Sequence, residues 1–310
     1  MSQDGQSGSP EARANTSIRM ATFDQYRSLL FSIAYRMLGS VADAEDILQD
    51  TFIRWQQFGN DDIRSPRAFL VTIVSRLCIN HLQSARARRE EYVGEWLPEP
   101  IVTDLGSDPF GMMKIDESLS MAFLLLLERL TPVERAVLLL REVFDYEYSE
   151  IASALSLTQA NCRQILRRAR LHVNAMRPRL QAPKRMQSEL LQRFLEAAGT
   201  GEMEGLISLL ANDVALHSDG GGKAVAVPNV VYGAEKVARG IIGSLKRLVP
   251  KDIVRRIASI NGKLGLVNYQ NGKPHSVLTF DADGDKIQAI YIITNPEKLS
   301  HIPDINLALQ

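Results

Sequence analysis

Two stretches of the sequence concentrate arginine without any acidic partner. Residues 64–89 hold six arginines and no carboxylate, and residues 158–180 again hold six arginines and no carboxylate. Clustered cations that lack a carboxylate partner gain most from phosphates, because each contact releases a condensed counterion. The whole chain has 36 basic and 36 acidic residues and no formal net charge, so these stretches are local features. They predict two nucleic-acid-binding faces.

A third stretch is acidic. Residues 43–50 hold four carboxylates and no base. They lie on a predicted helix whose opposite face carries Ala44, Leu48, Phe52 and Trp55. Most polar helix faces are simply solvated, and the residues alone favour that interpretation. The alternative is an acidic docking strip for a basic partner.

Asp213, His217 and Asp219 are the residues that could form an acid-base set. A lone histidine on a strand is more often a structural residue, so we expect no catalytic site, no metal and no cofactor. The glycines that follow, Gly220–Gly222, lack the spacing of a phosphate loop. They instead permit another segment to approach the backbone closely, and the segment 96–100 is the natural candidate.

Hydrophobic periodicity places the first acidic and basic stretches on helices. Spacings of three and four predict one helix that ends near Gly39 and a second over 43–58. Ser65 and Pro66 form a start signal for a third, which carries the first basic stretch. A proline-rich linker over 93–117 follows, and its isolated tryptophan needs an anchor elsewhere in the protein.

The second basic stretch fits a helix-turn-helix. After an apolar helix over 118–130, Thr131 and Glu134 form a capping box that opens a helix to about Val143. A short helix capped by Ser149, a turn over 156–158 and a basic helix then follow. Asn and Gln near the start of the basic helix suit base edges in the major groove.

The remaining 125 or so residues predict an α+β unit with a pocket in a curved sheet. Two helices over 186–210, broken at Gly199–Gly201, precede the strands, and a helix over 234–248 interrupts them. Asn-Gly and Asp-Gly pairs favour tight hairpins. The predicted strands are Val214–Ser218, Ala224–Val231, Ile253–Ile260, Leu264–Tyr269, Ser276–Phe280 and Ile287–Thr294.

Length and composition indicate two or three domains in a chain of 310 residues. Cys78 and Cys162 lie in apolar helical patterns, which favours buried thiols in a reducing compartment. The first residues are polar and carry no signal peptide, and the longest apolar run is too short to cross a membrane. We therefore expect a soluble cytoplasmic protein that does not contact a membrane.

These motifs together resemble a family. Asp43–Trp55 resembles the polymerase-docking helix of bacterial sigma factors, and Arg67–Leu77 resembles their promoter-melting, −10-reading helix. Leu130–Leu171 resembles their −35-reading domain. The order, without further sigma domains, resembles the extracytoplasmic-function (ECF) group of the sigma-70 family. Three later motifs resemble the ECF subgroup with a fused SnoaL-like, NTF2-like domain, namely Trp96–Pro100 (WLPEP), Asp219–Lys223 (DGGGK) and Asn295–Leu299 (NPEKL).

The resemblance implies two all-α sigma domains, the second a helix-turn-helix, followed by an α+β SnoaL-like, NTF2-like domain. Its partners would be core RNA polymerase and promoter DNA, and a small molecule in the C-terminal pocket is a candidate ligand. The implied domains are a disordered tail at 1–17, sigma domain 2 at 18–92, a linker at 93–117, sigma domain 4 at 118–180 and a regulatory domain at 184–303.

The resemblance also implies roles for individual residues. The residues expected to bind polymerase are Asp43, Asp46, Gln49 and Asp50. Those expected to bind DNA are Arg67, Arg76, Asn80, Arg86, Arg88 and Arg89 in the first basic stretch, and Asn161, Arg163, Gln164, Arg167 and Arg170 in the second. Those expected to form a regulatory contact are Trp96, Leu97, Pro98, Asp219, Gly220, Gly221, Gly222, Lys223, Asn295 and Pro296.

Three functions follow as hypotheses. The first is an ECF sigma factor that is not an enzyme and whose C-terminal domain modulates promoter-specific initiation in cis. The second is a DNA-binding regulator with a ligand-sensing domain, which has no need for the acidic strip. The third is a SnoaL-like enzyme tethered to DNA, which requires His217 or Asp219 for turnover.

Overall fold

A computed structural model of the chain describes residues 10–58, 63–90, 92–104, 119–174, 184–247 and 249–305. Its first three helices are α1 (Pro10–Leu38), α2 (Val41–Gln57) and α3 (Pro66–Glu90). The start of α1 corrects one expectation, because residues 10–17 of the predicted disordered tail are helical. Arg19 anchors this end of the helix by donating to the carbonyl of Trp55 at 2.7 Å, and the Trp55 indole donates back to Arg19.

The second helical unit contains the predicted helix-turn-helix. Its elements are α4 (Met121–Leu127), α5 (Pro132–Leu138), a π-helical turn (Leu139–Val143), α6 (Tyr148–Leu155) and α7 (Gln159–Asn174). The Thr131–Glu134 capping box is confirmed. The predicted cap at Ser149 is wrong. Glu147 caps α6 instead, because its carboxylate and that of Glu150 form a reciprocal capping box.

The two helical units share a single hydrophobic core that runs from Phe23 to Val173. Buried Arg135 of α5 joins them by donating to the carbonyl of Met37 and pairing with Glu128 at 2.9 Å. Burial lowers the pKa of the Arg135 guanidinium to about 10. Both cysteines are buried and free, as predicted. Within the described ranges, no helix has the length and apolar character that a bilayer span requires.

The C-terminal unit has the predicted α+β fold. Its helices are α8 (Lys184–Thr200), α9 (Met203–Leu209), α10 (Ala234–Arg247) and α11 (Pro296–Leu299). The strands are β1 (Val102–Thr103), β2 (Leu210–Asp219), β3 (Val231–Tyr232), β4 (Val254–Ile260), β5 (Lys263–Gln270), β6 (Lys273–Asp283) and β7 (Lys286–Ile293). They form one sheet in the order β1-β4-β5-β6-β7-β2-β3, in which the β2–β7 pair is parallel and the other five described pairs are antiparallel.

The hairpin turns follow the sequence signals, but two strands do not. Asn261 and Asn271 have positive φ angles, as does the glycine after each, which tight hairpins require. The predicted strand Ala224–Val231 is wrong over most of its length, because residues 224–230 form a loop that Pro228 keeps out of a ladder. The sequence also missed β1, in which the linker pairs with β4 at the sheet edge.

The two faces of the sheet bury different partners. One face packs against α8, α9 and α10. The other face packs against Leu97 of the linker and Met121 of α4, together with Val267, Tyr291 and Ile293 of the sheet. The first half of the predicted linker is therefore part of the packed structure, whereas residues 105–118 lie outside the described residues.

A substitution at Gly39 tests the contact between the first helical unit and the linker. Its φ is +69°, and an added Cβ would lie 2.6 Å from Trp96. We expect Gly39→Ala to destabilise the protein by about 1–3 kcal/mol through backbone strain and overpacking. The control is Gly199→Ala on α8, where nothing lies within 4 Å. Helix propensity predicts no loss and a gain of up to about 1 kcal/mol there. Urea unfolding of the full chain measures both, and equal effects would contradict the contact.

Candidate functional site

An extended segment of the linker, residues 95–101, runs between the three units and is buried from Leu97 onward. The Leu97 amide donates to Asp219 at 2.8 Å, and its carbonyl accepts from Lys298. The Glu99 amide donates to the Gly39 carbonyl at 2.8 Å. The Ile101 amide donates to Asn261 at 2.9 Å. The intervening residues are prolines, which have no amide hydrogen, so every N–H from Leu97 to Ile101 has a partner.

Asp219 lies at the centre of a buried polar group that we call the Asp219 cluster, made of Asp219, Tyr92, Lys298, Asn295 and the Leu97 amide. The Asp219 side chain is fully buried. One carboxylate oxygen accepts from the Tyr92 hydroxyl at 2.6 Å, and the other accepts from Lys298 at 2.6 Å as well as from Leu97. Asn295 donates from its side chain to Tyr92 at 2.9 Å. Burial, with the hydrogen bond to Asp219, raises the pKa of Tyr92.

The predicted position of Trp96 requires a correction. The tryptophan does not pack on Gly220–Gly222. Its ring lies against Gly39 and over the Lys298 ammonium, 4.2 Å from the ring centre. Tyr92 and Val93 instead approach Gly221 and Gly222, where added Cβ atoms would lie 3.0 and 3.1 Å away. The linker and the glycine motif therefore meet as expected, but through different side chains.

Glu99 connects the linker to the first helical unit by capping α2 from outside the helix. Its carboxylate accepts from the Val41 amide at 2.7 Å, the Ala42 amide at 3.3 Å and the Ser40 hydroxyl at 2.9 Å. These amides have no partner within the helix, and the helix dipole favours an anion at this end. The Glu99 carbonyl also accepts from Tyr35 at 2.7 Å.

Asn261 joins all three units, a role that sequence reasoning missed. Its side-chain oxygen accepts from the Ile101 amide. Its side-chain nitrogen donates to the Tyr35 hydroxyl at 2.7 Å and to the Leu119 carbonyl at 3.0 Å. The Asn-Gly signal identified this residue only as part of a turn, and the sequence carries no signal for its other contacts.

The acid-base set does not assemble. Asp213 is exposed, Asp219 is enclosed in its cluster, and the His217 ring bonds Glu95 of the linker at 2.7 Å while stacking on Tyr291. His217 and Asp219 point to the linker face of the sheet, because successive side chains of β2 alternate between its two faces. The C-terminal cavity lies on the other face, and none of the three residues lines it.

The acidic strip is accessible. Asp46, Gln49 and Asp50 are exposed on α2. Asp43 is half-buried in the first turn, and its carboxylate lies 3.5 Å from the His81 ring. The structure therefore places these four residues on one element, with three of them open to a partner.

The first basic stretch faces the second helical unit. Arg76 of α3 donates to the Ala154 carbonyl at 2.7 Å and to the Ser156 hydroxyl at 2.9 Å. Arg67 lies over the ring of Tyr146, 4.7 Å from its centre. Asn80 is exposed. Arg86, Arg88 and Arg89 belong to the last turns of α3, and their side chains lie outside the described residues.

The second basic stretch presents its polar residues outward on α7. The exposed residues are Asn161, Arg163, Gln164, Arg167 and Arg170. Cys162, Ile165 and Leu166 form the predicted inner stripe and are buried. Arg163 lies over the ring of Tyr148 of α6, 4.9 Å from its centre, and Arg170 pairs with Glu142. The two basic stretches therefore lie on separate helices, and Arg67 and Arg76 of the first contact the unit that carries the second.

Comparison with known proteins agrees with this division. Residues 22–88 match the family model for Sigma-70 region 2, and residues 120–173 match the family model for Sigma-70, region 4. The ECF RNA polymerase sigma factor SigJ of Mycobacterium tuberculosis is 36% identical over 297 residues, which cover 92% of this chain and 95% of SigJ. The chain belongs to the ECF sigma factors.

Further relatives of this sigma factor extend over its C-terminal domain. The probable ECF RNA polymerase sigma factor SigI of Mycobacterium tuberculosis is 29% identical, and the alignment covers 90% of this chain and 94% of SigI. The crystal structure of SigJ superposes with a TM-score of 0.74 at 33% identity, covering 91% of this chain and 98% of that chain. The predicted family is confirmed, and the likeness to SigJ extends over the C-terminal α+β domain.

The Asp219–Lys298 pair of this sigma factor allows a direct energetic test. Breaking a buried ion pair costs about 3–5 kcal/mol, because one charge stays buried without its partner. We expect Asp219→Asn and Lys298→Met each to lower the free energy of unfolding by that order. The double variant should lose clearly less than the sum, because no unpaired charge remains. Denaturant unfolding measures the three variants, and strict additivity would contradict the coupling.

Proposed function

We propose that the C-terminal domain regulates this ECF sigma factor in cis by holding regions 2 and 4 in a closed arrangement that uses promoters poorly. The observation that carries the proposal is the buried Asp219 cluster, through which the C-terminal domain grips the linker between the two regions. Asn261 of the same domain forms further hydrogen bonds to the linker, to α1 and to the start of the second helical unit.

The closed arrangement is a poor promoter-binding state for a geometric reason. A sigma factor binds core RNA polymerase and two promoter elements that lie apart along the DNA, so its two DNA-binding regions must separate. Here α3 packs against α6, and two N–H groups of Arg76 donate to Ala154 and Ser156. Cations already paired within the protein gain less from phosphate than free ones. Opening would release Arg76 from these contacts.

We assign binding roles to the residues that the resemblance named. Three of the four polymerase-binding candidates, Asp46, Gln49 and Asp50, form an exposed acidic face that suits a basic partner surface on polymerase. In the DNA-binding set, Arg163, Gln164 and Arg167 lie exposed on the recognition helix α7, where side chains reach base edges and phosphates. The sigma-factor relatives support a role in initiation and give no support to an enzyme.

The acidic strip gives a test of polymerase binding. We expect Asp46→Arg to weaken binding to core RNA polymerase at least tenfold, because a cation would replace an exposed acid in a charge-complementary interface. Asp213→Arg makes the same change at an exposed site of the C-terminal domain and should leave binding unchanged. Titration of core polymerase with labelled full-length protein measures both affinities. Equal losses in the two variants would contradict the assignment.

Trp96 gives a test of the restraint. Trp96→Ala removes the contacts with Lys298 and Gly39 and leaves every arginine in place. Each 1.4 kcal/mol of lost closing free energy raises the ratio of open to closed molecules about tenfold. We therefore expect run-off transcription with core polymerase and a cognate template to rise several-fold.

The matched control is Tyr232→Ala, which removes an aromatic residue that is 62% exposed on the same C-terminal domain. It should leave transcription unchanged. A Trp96→Ala protein that retains its circular dichroism spectrum yet transcribes at or below the level of the unaltered protein would overturn the restraint. Such a result would leave the sigma-factor family unaffected.

A further inference from the structure

The C-terminal domain contains a cavity of about 620 Å³ between the sheet and its helices. This volume falls in the range of small-molecule sites in proteins. The walls include Phe194 of α8, Ile241 of α10 and the sheet residues Leu216, Leu266 and Leu278. The loop 224–227 forms part of the lining, and two of its valines are exposed, Val225 at 67% and Val227 at 38%.

The titratable side chains that line the cavity are all basic. Among the described lining residues there is no carboxylate, whereas Lys236, Arg255 and His275 all contribute. Within the described part of the chain, neither Lys236 nor Arg255 has an ion-pair partner. Both side chains are exposed, and cations without an ion-pair partner beside apolar walls favour an anion with an apolar body.

We infer that this cavity binds an amphipathic small molecule that carries one anionic group, of the carboxylate class. Its apolar body would cover the walls and the exposed valines, and its anionic group would meet Lys236 and Arg255. The proposal is for binding without an acid-base reaction, because the candidate residues Asp213, His217 and Asp219 do not line the cavity.

The cavity wall is continuous with the Asp219 cluster, so ligand binding can affect how this cluster holds the linker. The amides of Lys223 and Ala224 donate to the Gly220 carbonyl, so the loop 224–227 is tied to the residue after Asp219. Thr294, another lining residue, bonds the carbonyl of Asp219 through its hydroxyl at 3.2 Å. A molecule that packs against this loop therefore biases the cluster that grips the linker. This consequence rests on the proposed function, whereas the binding site itself does not.

The test uses the full-length protein without polymerase. The fluorescent anion 1-anilinonaphthalene-8-sulfonate serves as the probe. Dodecanoate and dodecylammonium compete with it below their micelle concentrations, and dodecan-1-ol competes with it below its solubility limit. We expect saturable binding of one probe molecule and displacement by dodecanoate at a concentration about tenfold lower than by the alcohol or the amine. Arg255→Gln combined with Lys236→Gln should remove this preference for dodecanoate.

Two glycines of α10 provide a variant that should block the cavity and a matched control that should not. Nothing lies within 4 Å of an added Cβ at Gly240 or at Gly243, and only Gly240 lines the cavity. Gly240→Phe should abolish displaceable probe binding, and Gly243→Phe should preserve it. Gly199→Phe fills the cavity from α8 as a second blocking variant.

Three results would overturn the site. They are the absence of saturable binding, equal binding by the Gly240→Phe, Gly199→Phe and unaltered proteins, and stronger competition by the amine than by dodecanoate. Each of these results leaves the cis restraint intact, because the assay contains no polymerase. Conversely, an unchanged activity of the Trp96→Ala protein overturns the restraint and leaves probe binding untouched.

Discussion

The arrangement of this sigma factor depends on the burial of an extended linker. A buried segment without regular structure must find partners for its backbone polar groups outside itself, since each unpaired group costs about 1–3 kcal/mol. The sequence of residues 97–101 lowers the number of partners needed, because Pro98 and Pro100 have no N–H to satisfy. The remaining amides bond Asp219, Gly39 and Asn261, which belong to two different units. The hydrogen bonds that these linker amides need therefore also join the two units.

The grip on the linker is specific because it is polar. Leu97 and Ile101 are buried and supply apolar stabilisation that would tolerate other registers of the chain. The Asp219 carboxylate would not tolerate them, because its partners are two amides, one hydroxyl and one ammonium at fixed positions. Glu99 adds a second fixed point by capping α2. We attribute the register of the linker to these two carboxylates and its cohesion to the apolar residues.

Local signals in the sequence predicted the helices, the tight turns and the family, since each is encoded within a short span. Ser65–Pro66, the Thr131–Glu134 capping box and the Asn-Gly turns are examples. The partners of Trp96, Asn261 and Glu99 could not be read in this way. Each of these residues contacts positions at least 57 residues distant in the sequence, and no local periodicity records such a pairing. The loop 224–230 misled for a related reason. Its valines line a cavity, and an apolar run has the same composition whether it pairs in a sheet or faces a pocket.

Removing the C-terminal domain is a poor measure of its regulatory effect, because this domain also buries the linker. Truncation near Leu180 would expose Leu97 and Met121, which are now covered by the sheet, and would leave the amides of Leu97 and Ile101 without protein partners. The shortened chain would lose apolar burial and linker order at the same time as any restraint. Its activity would then report stability and regulation together. A single substitution within the grip changes the closing free energy while the sheet still covers the apolar residues, so it separates the two effects.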